Sequence, residues 1–194
     1  MAGAGKVSGA KSGPMYQLRI ELQHVKPQIW RRVLVPGAIK LPRLHETIQA
    51  AMGWVGGHLH EFVIAEEHYG AVDPHYPYDP PLQSENRISL KSALAGARTF
   101  RYVYDFGDDW EHKIKVEKLW PDNPGFKLPM LLSGANACPP EDVGGAYGYL
   151  EFLEAIRDPN HKEHATMLDW IGGSFDPAAF DDNQVNARLS TIRT

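Results

Sequence analysis

The chain has 194 residues, 43% of them hydrophobic and 23% charged, with a single cysteine and a formal net charge of −4. These proportions exclude a collagen-like, coiled-coil or largely disordered chain and fit one compact domain. One thiol excludes a disulfide framework and leaves a cysteine-based zinc site short of ligands. No run of about 18 apolar residues is available to span a membrane, and residues 1–14, MAGAGKVSGAKSGP, hold no apolar leader core. The expectation is a soluble, cytoplasmic protein with a disordered tail over 1–14 and a single domain over 15–194.

Tyr16, Leu18, Ile20 and Leu22 alternate with Gln17, Arg19, Glu21 and Gln23, a period of two that predicts a half-buried strand. Pro27 interrupts it, and a second strand is predicted over Gln28–Val35, closed by Pro36 and Gly37. Leu41 and Pro42 open a helix with an apolar stripe of Leu44, Ile48, Ala51 and Met52, stopped at Gly53. A strand follows at His60–Glu66. Four prolines between Gly70 and Gln83 predict a long loop, and a short helical turn falls at Leu90–Leu94. Two alternating runs, Phe100, Tyr102, Tyr104, Phe106 and Trp110, His112, Ile114, Val116, then flank Gly107-Asp108-Asp109. A three-residue turn pairs Phe106 with Trp110 and Tyr104 with His112, placing all eight side chains on one face; a two-residue turn scrambles them. Beyond Cys138-Pro139-Pro140 the pattern turns helical. One helix carries Tyr149, Leu150, Leu153 and Ile156 and ends at Asp158-Pro159, a second covers His161–Ile171, and a last begins at Asp182 or Asn183. Strands come first and helices mainly in the C-terminal third. That order predicts an α+β fold, an antiparallel or mixed β-sheet with helices packed on one side.

Within Gln28–Val35 either choice of inner face carries an arginine, Arg31 or Arg32, among apolar neighbours. A buried guanidinium needs compensation, best from a carboxylate in bidentate geometry. Such a residue orients an anionic ligand or makes a structural ion pair, unless both arginines lie solvated at a sheet edge. His112, opposite Tyr104 and beside Trp110 in the expected register, has the placing of a general base or of a core histidine with one hydrogen bond. In Gly134–Gly145, GANACPPEDVGG, Glu141 and Asp142 either complement a helix N-terminus or turn inward to meet Arg31 or Arg32. Nothing there depresses the pKa of Cys138, so it is not read as a nucleophile. His58-x-His60, with His68 beyond, lacks a third ligand at a recognised metal spacing, and His161 and His164 form no HExxH motif. These histidines are expected to be solvated or capping; no metal and no cofactor is expected. Residues 1–40 carry a surplus of six positive charges and residues 139–182 a surplus of eight negative ones. The only basic cluster includes two tail lysines, and neither a phosphate loop nor a helix-turn-helix is visible, so nucleic acid is not favoured as a partner.

Six blocks in order, KPQIWRRVLVP, LHETIQAAMGW, HLHEF, YDFGDDWEHKIKVE, ACPPEDVGGAYGYLEFLEAI and a tail from DWIGGSFDP to VNARL, resemble the Ri-plasmid open-reading-frame-three-like family over Tyr16–Leu189. That family is uncharacterised and often labelled as transposon resolvases. The resemblance implies an association with mobile elements. It also implies that Trp30, Arg31, Arg32, Asp105, Gly107, Asp108, Trp110, His112, Glu117, Pro139, Pro140, Glu141 and Asp142 belong to the family signature. Many family members carry a cysteine near Leu131 and an arginine near Asn136, which this chain lacks. A serine recombinase needs a nucleophilic serine among arginines and a DNA-binding module, and neither is visible. The leading reading is a non-enzymatic binding or interaction module. Its pocket gathers Arg31 or Arg32, Tyr104, Trp110, His112 and Glu141 or Asp142, suited to a small anionic ligand or a peptide. The alternatives are an enzyme using His112 and a carboxylate for acid–base chemistry, and a DNA-associated accessory protein.

Overall fold

The structure, a computed structural model, describes residues 13–73, 75, 79–123 and 125–194. Most of the tail expected over 1–14, and Pro74 and Pro77 of the expected proline-rich loop, lie outside the described residues. Strands β1 (Met15–Leu22), β2 (Trp30–Pro36), β3 (His60–Ile64), β4 (Glu67–Gly70), β5 (Leu82–Ser84), β6 (Thr99–Tyr104), β7 (Trp110–Trp120) and β8 (Met130–Ala135) build one sheet. Its order is β5-β4-β3-β6-β7-β1-β2-β8. Every neighbouring pair is antiparallel except β4 and β5, which makes the sheet mixed. The helices are α1 (Leu41–Met52), α2 (Leu90–Leu94), α3 (Gly145–Arg157), α4 (His164–Ile171) and α5 (Asp182–Leu189), and they lie mostly in the C-terminal half. The α+β reading holds.

One face of the sheet is apolar and packs under the helices. Leu18, Ile20 and Leu22 of β1 join Ile114 and Val116 of β7, Phe100 and Tyr102 of β6, and Phe62 and Ile64 of β3 in a single core. Each such side chain contributes on the order of 1.5–3 kcal/mol when fully buried. The opposite face holds Arg19, Arg32 and Glu117, with Arg19 and Arg32 packed over the Trp30 ring. Helix α1 begins at Leu41-Pro42 and lays Leu44, Ile48 and Met52 on the core. It ends as expected at Gly53, where φ is 113° and the amide donates to Gln49 O. Asp181 caps α5 by accepting from the amides of Asn183 and Gln184. Helix α5 then packs against both α1 and β8.

The β6–β7 hairpin corrects the expected register. Tyr104 pairs with Trp110 and Tyr102 with His112, a slip of two residues that leaves every strand side chain on its expected face. Phe106 alone leaves the aromatic face and is 54% exposed. The tip closes over five residues, with the Asp109 amide donating to Asp105 O at 2.6 Å. Asp105 adopts φ 56°, and its Oδ1 accepts from the amides of Gly107 and Asp108. Aspartate tolerates this left-handed conformation because its short side chain satisfies the local amides.

Candidate functional site

Three connections meet at one end of the sheet: 53–59 between α1 and β3, 105–109 at the hairpin tip, and 136–144 between β8 and α3. They are stitched by hydrogen bonds. Trp54 Nε1 donates to Pro139 O at 2.9 Å, Asp105 N to Leu59 O at 2.8 Å, and Gly144 N to Asp108 Oδ2 at 3.2 Å. Glu141 accepts from Tyr104 Oη at the end of β6 at 2.8 Å and from Val55 N of the 53–59 connection at 3.2 Å. Burial first, and then donation to the Glu141 carboxylate, hold the Tyr104 phenol well above its ordinary range. His58 lies between two acids, its Nδ1 3.5 Å from Asp105 Oδ2 and its Nε2 3.2 Å from Asp142 Oδ1.

Beside this junction is a cavity of about 620 Å³ bounded by Arg31, Trp54, Cys138, Glu141, Phe175 and Arg188, among others. Arg31 points into the core side and is 2% exposed. Its guanidinium donates to four carbonyls, of Ala51, Trp30, Ala135 and Asn136, at 2.8–2.9 Å. Phe180 covers it, the ring centroid 4.4 Å from Cζ. Burial lowers its pKa to about 10, with the Arg188 charge adding to the effect and Cys138 and Asp182 opposing it. Arg188 donates through Nε to Ala50 O at 3.0 Å, while its terminal nitrogens lie alongside Gly53. Neither arginine is paired with a carboxylate among the described residues. Burial pushes the Cys138 thiol up against the pull of Arg31, which disfavours a thiolate there.

The family model described as plasmid pRiA4b ORF-3-like protein matches residues 14–184. The chain belongs to the plasmid pRiA4b ORF-3-like family. A relative from Sinorhizobium fredii (strain NBRC 101917 / NGR234), the uncharacterized protein y4hQ, is 49% identical over 179 residues, 91% of each chain. The crystal structure of MM3350 from Methanosarcina mazei Go1, a protein of unknown function, has the same fold, with a TM-score of 0.80 and 36% identity. The match covers 88% of this chain and 96% of that one.

In this pRiA4b ORF-3-like chain the residues singled out from the sequence fall into separate places. Arg31 lies at the cavity, and Tyr104, Glu141 and Asp142 at the junction. Trp110 and His112 lie behind them, walled off by Trp54, whose ring centroid is 5.6 Å from that of Trp110 and 5.5 Å from that of His112. Arg32 is on the far face, where Glu117 grips it through both carboxylate oxygens at 2.6 and 3.0 Å. The expected ion pair therefore divides: the buried arginine binds carbonyls, and the half-exposed one binds the carboxylate. Neither Glu141 nor Asp142 meets either arginine, because Glu141 is held by Tyr104 and Val55, and Asp142 faces His58. His112 faces Tyr102 rather than Tyr104, is fully buried, and makes a hydrogen bond through Nδ1 to Trp110 O at 2.9 Å. Burial lowers its pKa to about 4. Among the described residues no carboxylate lies on it, and its Nε2 is buried without a hydrogen-bond partner, so His112 sits within the core of this structure.

Three groups escaped the sequence. Arg188 sits in a polar helix with nothing to mark it. His45 stacks on His60 with centroids 3.7 Å apart and accepts from the Tyr102 hydroxyl at 2.7 Å, that hydroxyl in turn accepting from Gln49. Burial and the neighbouring His60 push His45 down to about 3. The third is the meeting of His58 with Asp105 and Asp142, acids already singled out in other roles, which come from remote segments. Of the other histidines, His60 meets Glu85, His68 meets Glu61, and His164 bonds to Ala155 O. No helix among the described residues is long and apolar enough to cross a membrane.

Proposed function

We propose that this protein is a non-enzymatic binding module whose cavity between Trp54, Arg31 and Arg188 takes a small anion, a carboxylate or a phosphate. The observation that carries the reading is that two guanidiniums border one aromatic-walled cavity with no carboxylate bonded to either among the described residues. The acids in its walls are committed elsewhere: Asp181 caps α5, and Glu141 accepts from Tyr104 and Val55. Arg31, its donors directed at carbonyls, contributes a fixed positive field. Arg188 contributes the planar fork that matches an oxyanion. Trp54, Phe175 and Phe180 supply the apolar walls usual for small-molecule sites. The plasmid named in the family description supports the association with mobile elements that we attach to this module.

The test is thermal unfolding with inorganic phosphate and a series of mono- and dicarboxylates, on the wild type and on Arg188→Gln. A ligand at a hundredfold excess over its Kd stabilises by about 2.7 kcal/mol, so at least one anion should raise Tm by several degrees in the wild type and not in the variant. Absence of any shift at 50 mM anion, or an equal shift in Arg188→Gln, overturns the reading.

A further inference from the structure

We infer that His58, Asp105 and Asp142 form a binding site for a divalent transition-metal ion at the three-segment junction. One ligand atom from each residue lies within 4.8 Å of the other two. One imidazole nitrogen and two carboxylate oxygens suit zinc, manganese or ferrous iron, and three protein ligands leave positions open for water or a further ligand. Each residue comes from a different connection, so the triad exists only once the sheet end has assembled.

The charges argue the same way. Asp105 and Asp142 converge on one ring, and neither has a lysine or arginine partner among the described residues. Two carboxylates that meet at one site without such a partner suit a divalent ion, whose positive charge both can share. The surroundings also orient the ligands. Asp105 Oδ1 is held by the amides of Gly107 at 3.0 Å and Asp108 at 3.4 Å, which leaves Oδ2 towards His58. The His58 ring stands edge-on to Tyr104, centroids 5.8 Å apart at 75°, and Tyr104 is itself fixed by Glu141. Adjacent acids thus divide their roles, Glu141 binding inward and Asp142 facing the ring. Outer partners of this kind set ligand direction in metal sites.

This site is separate from the anion cavity, and either can fail without the other. Calorimetric titration of chelator-treated protein with Zn²⁺ and Mn²⁺ at pH 7.5 tests it, with Co²⁺ absorption reporting the ligand set. The expected result is saturable binding of one ion per chain, a cobalt spectrum that changes in His58→Gln, and at least tenfold weaker binding in Asp142→Asn. Asp142 is largely exposed, so its variant should fold; circular dichroism checks this, and Asp105→Asn, which keeps the turn acceptor, serves as a second variant. No saturable binding below 1 mM leaves only a contact of His58 with the two acids and overturns the inference. So does binding that all three variants leave unchanged, which places the ion elsewhere.

Discussion

At Arg31 the hydrogen bonds reach separate stretches of backbone: the C-terminal turn of α1 through Ala51, β2 through Trp30, and the exit of β8 through Ala135 and Asn136. A planar guanidinium serves such scattered acceptors because its donors diverge in a fixed fork. An ammonium has three donors on one compact centre and cannot reach all of them. Arg31→Met leaves carbonyls buried without donors and should cost about 3 kcal/mol or more. Arg31→Lys should recover less than half of that. Arg32→Met removes a partly exposed pair and should cost about 1 kcal/mol. Urea denaturation measures all three, and a wild-type midpoint for Arg31→Lys contradicts this account. From sequence, the need to compensate an inward arginine was legible in the apolar neighbours of Arg31. Its actual partners were not, because every residue carries a carbonyl and only the tertiary placing of Arg31 between the end of α1, β2 and the exit of β8 selects these four.

The β6–β7 hairpin shows what alternation determines and what it leaves open. A shift of two residues keeps every strand side chain on its face, so Phe100, Tyr102, His112 and Ile114 are core in either register. The pattern therefore identified the buried face but not the partner of His112. Turn chemistry decided the rest, through Asp105 and its two amides. The five-residue tip also meets the start of α3: a Cβ on Gly145, at φ 68°, would sit 2.3 Å from Asp108 O. Gly145→Ala should thus destabilise by about 2 kcal/mol or more, beyond the roughly 1 kcal/mol of positive φ alone. Gly96→Ala, at φ 99° with open space around it, is the control and should cost only the smaller amount. Equal midpoints for the two variants would show that the tip yields freely. The same junction explains why His58 looked isolated in sequence. Its acids are neighbours only through this packing, and spacing along the chain carries no trace of them.

The whole molecule responds to acid through its buried imidazoles. His45 and His112 are held at about 3 and about 4 in the fold, well below the value of 6.5 from which they are lowered. Between those limits the unfolded chain binds protons that the native chain refuses. Stability is therefore full above pH 6.5 and falls as pH drops, with a slope approaching about 2.7 kcal/mol per pH unit for two sites. Glu117 adds a later loss, since Arg32 holds its carboxyl down to about 2 and its contribution fades only below the ordinary carboxylate range. Urea melts at pH 7.5, 6.5 and 5.5 should show the decline, and His45→Gln should remove about half of the slope. Constant stability from pH 7.5 to 5.5 contradicts it. The place of β1 has a different consequence. It lies inside the sheet, flanked by β2, which follows at once, and by β7, which begins only at Trp110. During synthesis β1 and β2 emerge together, yet their central neighbour is not available until well over half the chain has been made. Until then the nascent hairpin presents two open edges, awaiting β7 on one side and β8 on the other, together with one apolar face, a combination prone to wrong pairing. The joining of this hairpin to the rest of the sheet is therefore a late event on the ribosome, timed by the arrival of β7, with β8 closing the other edge later still.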